Sequence, residues 1–322
     1  MRTERMMAVI AAVILAVPAA QAAQPAYPDK PIRLIIGSAP GSGPDIMSRI
    51  LAERLYKAWD QRVVVDPRPG VAGILSAELA LRANPDGYTW MMLTSQLFVA
   101  TSVYPNLKFD LDKDFVSIAL IGSVPFVLMI NPQVPVKSIS DLIVLAKKQP
   151  GKLRYGSAGT GASEHLSGVL FTRMTGTDML HVPYKGVPQA IGDTIAGEVQ
   201  LTYAVAPAAL PAIQGNRLRA LGVTSPKRSA SLPDVPSISE FVPGFDMLGW
   251  YSIVAPVGTP PAVLAKASAE IVKAVKEPEF DARLRTIGTD VIGGGRAELD
   301  AWRKGQRKKV ADMHAEDIAD IL

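Results

Sequence analysis

Two glycine-rich turns constrain this chain more than any other feature: Ala39-Pro40-Gly41-Ser42-Gly43-Pro44-Asp45 and Gly156-Ser157-Ala158-Gly159-Thr160-Gly161-Ala162-Ser163. Each lies between a β-rich apolar run and a segment of helical spacing. A strand that turns sharply into a helix aims backbone N–H groups and the positive end of the helix dipole at one spot, and small residues let a guest come close to it. Two such cradles on one chain describe an anion held between two lobes.

The runs around the turns read as α/β. Strands are predicted over 32–36, 63–65 and 88–93, with helices over 46–59 and 74–81, an alternation that builds a parallel lobe. The pattern then restarts. A strand over 124–130, a helix from Ser138 to Ala146 and a strand over 153–157 lead into the second turn, where Ser163 is the expected N-cap of a helix reaching Met174. A strand over 180–184, a helix over 188–196 and strands over 199–204 and 218–224 follow. A return strand over 250–256 and a helix over 260–276 bring the chain back to its first lobe. Two crossing segments, near 124–130 and 248–254, would then form a hinge.

Arg2 and Arg5 precede an apolar run from Met6 to Val17 that is too short to span a bilayer, and Ala20-Gln21-Ala22 supplies a small-x-small cleavage pattern. Residues 1–22 therefore read as a signal peptide, 23–124 as the first part of lobe one, 125–248 as lobe two, and 249–322 as the return to lobe one, with the terminal helix able to pack on lobe two. The expected location is the periplasm. The absence of cysteine excludes disulfides, thiolate catalysis and Cys-based zinc or iron–sulfur sites. The net charge of +4 is spread along the chain apart from Arg303-Lys304 and Arg307-Lys308-Lys309. That cluster reads as a solvated helix face, and without interleaved aromatics it gives no nucleic-acid partner.

The first turn offers the N–H groups of Gly41, Ser42 and Gly43 and the Ser42 hydroxyl, with Asp45 either capping the helix or touching the guest. The second offers hydroxyls on Ser157, Thr160 and Ser163 and accessible backbone at Gly159 and Gly161. Neither turn has the Gly-Lys-Ser/Thr ending of a phosphate loop or the glycine order of a dinucleotide fingerprint, so no cofactor is expected. His165, His181 and His314 are the only imidazoles and lack the spacing of zinc ligands, so no metal is expected either. His165, one turn into the helix, is a candidate for the cleft. Tyr184 and Lys185 end an apolar strand where α/β proteins bind ligands, and read equally as a packed Tyr beside a surface Lys. No Gly-x-Ser-x-Gly elbow or local base activates a nucleophile, which leaves catalysis without an anchor.

With these residues assembled, the chain resembles the Bug family, the extracytoplasmic substrate-binding proteins of tripartite tricarboxylate transporters. The resemblance runs through Tyr27-Pro28-Asp29-Lys30-Pro31-Ile32-Arg33, Pro40-Gly41 to Asp45, Pro69-Gly70 with Gly73, and Pro85-Asp86-Gly87-Tyr88-Thr89. It continues in the 156–165 turn, Val182-Pro183-Tyr184-Lys185-Gly186 and Leu221-Gly222-Val223-Thr224. It implies two Rossmann-like lobes of the type II periplasmic binding protein kind, closing on a small carboxylate. The gripping roles fall on Gly41, Ser42, Gly43 and Asp45, beside Pro40, and on Ser157, Gly159, Thr160, Gly161 and Ser163. Ser38 stands where the family usually has an aromatic, Ser42 where it has Gly, Asp66 where it has Asn, and Ala204 where it often has an Asp that would form an acidic wall.

The expected function is a monomeric solute receptor that captures a small organic acid and performs no chemistry, handing it to membrane transporter subunits. The alternatives are a ligand-presenting subunit for a membrane sensor kinase, or an exported enzyme acting on small acids with Lys185 or His165 as base. Aliphatic dicarboxylates, aromatic acids, amino-acid derivatives and amides all suit recognition by backbone N–H groups. Gln96, Phe98 and Tyr203 are candidates for the distal wall of the pocket.

Overall fold

The computed structural model describes residues 27–312 apart from positions 105 and 231, so the expected signal peptide and His314 lie outside the described residues. The chain opens with β1 (Ile32–Ile36), the first glycine turn and α1 (Gly43–Trp59), in which Pro44 suits the first helical turn and Asp60 closes the helix in the left-handed region. β2 (Val63–Pro67), α2 (Ile74–Leu81) and β3 (Thr89–Thr94) complete the alternation. β1 pairs in parallel with β2 and β3. Alternate residues of β3 serve opposite faces: Trp90 and Met92 pack beneath α1, while Met91 and Leu93 pack with Phe98 and Trp250. Each of these side chains is essentially buried, worth about 1.5–3 kcal/mol apiece by area.

Two short helices, α3 (Ser95–Val103) and α4 (Leu111–Asp114), lead to β4 (Phe115–Ile130). β4 is longer than the predicted strand over 124–130 and runs about 50 Å through both halves of the molecule. From Phe115 to Pro125 it is antiparallel to β9 (Leu248–Pro256), and from Phe126 onward it is antiparallel to β7 (Leu201–Val205) and β8 (Arg219–Val223). The change of partners falls at Pro125, which has no N–H to offer a ladder. Beside it, Thr224 Oγ1 accepts the Phe126 N–H at 2.9 Å and the Thr224 N–H reaches the Phe126 carbonyl at the same distance.

The second half begins with α5 (Ile139–Lys148), capped by Ser138. It continues through β5 (Arg154–Ser157), the second glycine turn, α6 (Ser163–Thr175), β6 (Leu180–Pro183) and α7 (Val187–Ala196). β5 is parallel to both β6 and β7, and α8 (Ala206–Gln214) covers the neighbouring face. After β9, α9 (Pro261–Val275) returns onto the first half, followed by α10 (Pro278–Thr286), β10 (Asp290–Gly294) paired to β4, and α11 (Arg296–Asp312). The result is one ten-stranded mixed sheet, ordered β2-β1-β3-β9-β4-β7-β5-β6, with β10 attached along the middle of β4 and β8 to its C-terminal end. The expected α/β class holds, and the antiparallel strands at its centre are the ones that carry the chain between halves.

Two local expectations are corrected. Ser163 is the first residue of α6 rather than its N-cap, because the turn closes one residue early: Ala162 is extended, donates to Gly159 and accepts the first helical bond from Leu166. The basic cluster is not a solvated face. Arg303 is 6 % exposed and donates to the Leu111 and Phe115 carbonyls and to Asp112, while Arg307 lies 4.0 Å over the Phe98 ring. Lys309 pairs with Asp246, and Val310 joins the core of the second half, so α11 touches both halves. Only Lys304 and Lys308 of the cluster are exposed.

Candidate functional site

The two glycine turns open onto one cleft of about 490 Å³ between the halves of the sheet. Gly41 adopts φ +80°, the left-handed region that a side chain resists, and donates its N–H to Asp45 Oδ2 at 2.9 Å. Asp45 sits at the third position of α1 and also pairs with Arg49, so it clamps the turn from behind rather than capping the helix from its start. Burial pushes its carboxyl up, but the Arg49 guanidinium and the Gly41 N–H outweigh this and hold it below the usual carboxylate value. Ser42 is the N-cap of α1 by backbone geometry, yet its hydroxyl makes no cap bond and is buried without a partner.

The second turn is held differently. Gly159 donates to Ser157 Oγ at 3.1 Å, and Gly161, at φ +77°, donates to His165 Nδ1 at 3.1 Å. Ser157 Oγ also lies 2.6 Å from His181 Nε2, and the two imidazoles stack with centroids 3.8 Å apart. Burial lowers the His165 pKa to about 3, with His181 adding to the effect, and burial alone lowers His181 to about 4. Both rings are therefore neutral at physiological pH, and His165 accepts through Nδ1 and carries its proton on Nε2. The sequence spacing that argued against a joint role hid this pair, which parallel pairing of β5 and β6 brings together. Among the described residues no group of three or more His, Cys, Asp or Glu side chains is placed to hold a metal ion.

Of the residues singled out in the sequence, Ser42, Gly43, Ser163 and Lys185 line the cleft. Pro40, Gly41, Gly159, Thr160 and Gly161 shape the turns without joining that lining, Pro40, Gly41 and Thr160 being exposed, and Asp45, Ser157 and His165 brace them. Tyr184 packs its ring against Gly156, its hydroxyl pushed up to about 12 by burial and by its bond to Asp193. Gln96 reaches the cleft, whereas Phe98 and Tyr203 are core residues, 1 % and 0 % exposed. Ala204 is also fully buried, packed with Val127 and Val223, and its neighbour Val205 forms the wall. The register Val127↔Ala204 turns position 204 away from the cleft, so an acidic residue there would face the core rather than the guest. Asp66 is taken up by Arg33 and Arg68.

Several lining residues have no counterpart in the sequence reading. Ala72 holds φ 56° in the loop between β2 and α2, and the close approach of Gly37 to Gly73 seats that loop: a Cβ on Gly37 would lie 2.6 Å from Gly73 Cα. Thr94 and Ser95 enter where β3 meets α3. Tyr251 of β9 puts its hydroxyl beside Gly43, 3.0 Å from where a Cβ there would stand. Glu164, the residue before His165, is 9 % exposed and lines the cleft. Burial pushes its carboxyl up to about 7, its own backbone N–H pulling the other way, and its charge joins burial in raising the Tyr251 hydroxyl. Val124, Phe126, Val187 and Val205 make the apolar part of the lining.

The first turns of α1 and α6 thus face one cleft, neither closed by a side-chain cap. The orphaned N–H groups, several hydroxyls and an apolar wall suit a small amphiphilic anion. No described helix is long and apolar enough to cross a membrane.

The family described as tripartite tricarboxylate transporter family receptor matches residues 47–313. A Pseudomonas sp. (strain P51) protein described as "UPF0065 protein in tcbD-tcbE intergenic region" is 34 % identical over 94 % of this chain and 93 % of its own length. BugT of Bordetella pertussis is 33 % identical over 86 % of each chain. Among solved structures, that of the R. palustris protein Rpa4515 with adipate superposes with a TM-score of 0.79 at 31 % identity, covering 89 % of this chain and 98 % of the other. MatC from Rhodopseudomonas palustris, with bound malate, gives a TM-score of 0.76 at 25 % identity, covering 89 % of this chain and 99 % of the other. This chain belongs to the tripartite tricarboxylate transporter receptor family.

Proposed function

We propose that the chain is a periplasmic solute receptor that closes its halves on a small carboxylate, most readily a dicarboxylate, and delivers it as a monomer to membrane subunits of a tripartite transporter. The observation that carries this reading is the meeting of two uncapped helix N-termini in one cleft, with the Ser42 hydroxyl left unpartnered there. Adipate and malate in related structures support the ligand class. In this reading residues 27–125 and 249–312 form one lobe and 126–247 the other, hinged where β4 changes partners and where the chain enters β9. Ser42, Gly43, Ser163 and the turn backbones grip the anion. No turnover is needed: His165 is occupied by the Gly161 N–H and Lys185 is exposed.

Binding is tested by calorimetry and thermal shift of ligand-stripped mature protein against mono- and dicarboxylates, aromatic acids and amides. At a hundred times the dissociation constant a true ligand adds about 2.7 kcal/mol of stability. Gly43→Val, which pushes a side chain against the Tyr251 hydroxyl at the cleft floor, is expected to abolish that gain while the protein stays folded. A panel in which no carboxylate stabilises the protein sinks the reading.

A further inference from the structure

Glu164 occupies an unusual position for a receptor of anions. It is the second residue of α6, buried, and the one carboxyl group in the cleft lining among the described residues. The dipole end of the helix and the open N–H groups around it draw a carboxylate guest to the same place. Two carboxylates sharing one desolvated site cannot both stay ionised.

The charged and titratable groups around this carboxyl leave it without a neutralising partner. Tyr251, on β9, is pushed up by burial and remains a neutral phenol. Asp45, on α1, is committed to Arg49 and the Gly41 N–H. On α6 itself His165 is neutral. Lys185, beyond β6, lines the cleft but is exposed, and no ion pair joins it to Glu164 among the described residues. Burial holds the group near the point where it is half protonated at neutral pH, so a nearby anion has little left to do to complete its protonation.

We propose that Glu164 meets the guest as a neutral carboxylic acid and donates its proton to a carboxylate oxygen, so that the cleft captures a dicarboxylate together with one proton taken from solvent. This rests on the carboxylate-receptor reading and adds a specificity device to it. A fully ionised guest then binds best at acid pH, and the bound state holds a proton that neither free partner holds at pH 8.

The test is calorimetric titration of the wild-type mature protein with adipate, malate and a series of dicarboxylates of intermediate and greater length, at pH 6.5 and 8.0. Each titration is run in two buffers of different ionisation enthalpy so that proton uptake is counted directly. If only the protonated form binds, the dissociation constant rises about eightfold from pH 6.5 to 8.0 for a group titrating near 7. Proton uptake approaches one per ligand at pH 8.0. Glu164→Gln, a permanent neutral donor of the same shape, is expected to remove both the slope and the uptake and to bind more tightly than wild type at pH 8.0. Wild-type binding without slope or uptake overturns this inference and leaves the receptor reading standing. A slope that survives in Glu164→Gln also overturns it, by placing the proton elsewhere. A series in which nothing binds at either pH overturns the receptor reading itself, and this inference with it.

Discussion

Lowering the pH from 7 to 4 is expected to weaken the folded state through the imidazole that supports the second turn. His165 is 5 % exposed, its Nδ1 accepts the Gly161 N–H, and burial, joined by His181, lowers its pKa from 6.5 to about 3. The folded value lies below the unfolded one, so the stabilisation is complete above pH 6.5, declines as the pH falls below it, and is gone below about pH 3. From pH 6.5 to 4, at about 1.36 kcal/mol per unit, the loss is about 3 kcal/mol. Other groups titrate over the same range, so the measurement is a comparison with His165→Asn, whose amide oxygen can accept the same N–H without titrating. Urea unfolding of both proteins at pH 7 and pH 4 should show the wild-type advantage shrinking by about 3 kcal/mol. An advantage constant within about 0.5 kcal/mol refutes the account of a buried, neutral His165 bracing the turn.

Three further outcomes follow from packing and hydrogen bonding. Gly168→Ala places a Cβ 2.2 Å from the buried Tyr155 ring, and should cost about 1–3 kcal/mol in thermal unfolding. Arg303→Ala strips the Leu111 and Phe115 carbonyls of their donor and should lose about 2–3 kcal/mol, whereas Lys304→Ala, at an exposed position, should stay within about 0.5 kcal/mol of wild type; denaturant midpoints read both. Thr224→Val leaves the Phe126 N–H, where β4 changes partners, unpaired, for a loss of about 1–3 kcal/mol in urea that Thr224→Ser largely avoids.

The sequence by itself determined the order of strands, turns and helices, because those depend on neighbours. Period-two and period-3.6 patterns around Gly41 and Gly159 mark where a strand must turn into a helix, and most elements from β1 to α9 follow them with ends shifted by a few residues, although β4 begins well before the predicted strand over 124–130 and α3 and α4 fall where no element was predicted. Prolines at 207 and 211 disguised α8, and a glycine-rich run disguised β10. Which side chains meet in the cleft was decided only by tertiary structure. Tyr203 and Ala204 turn into the core and Val205 into the cleft because of the register of β7 on β4, which pairs residues some 75 positions apart. The pairing of β5 with β6 sets His181 opposite Tyr155, and α6 then lays His165 on it, converting two unrelated histidines into the support of one turn. Tyr251 reaches the first turn from β9, and Glu164, with an exposed-looking identity at a helix start, is buried in the cleft lining near enough to Tyr251 for its charge to act on that phenol. Local patterning reports what a segment becomes, whereas burial, and with it charge and hydrogen-bonding duty, depends on which distant strand lies alongside.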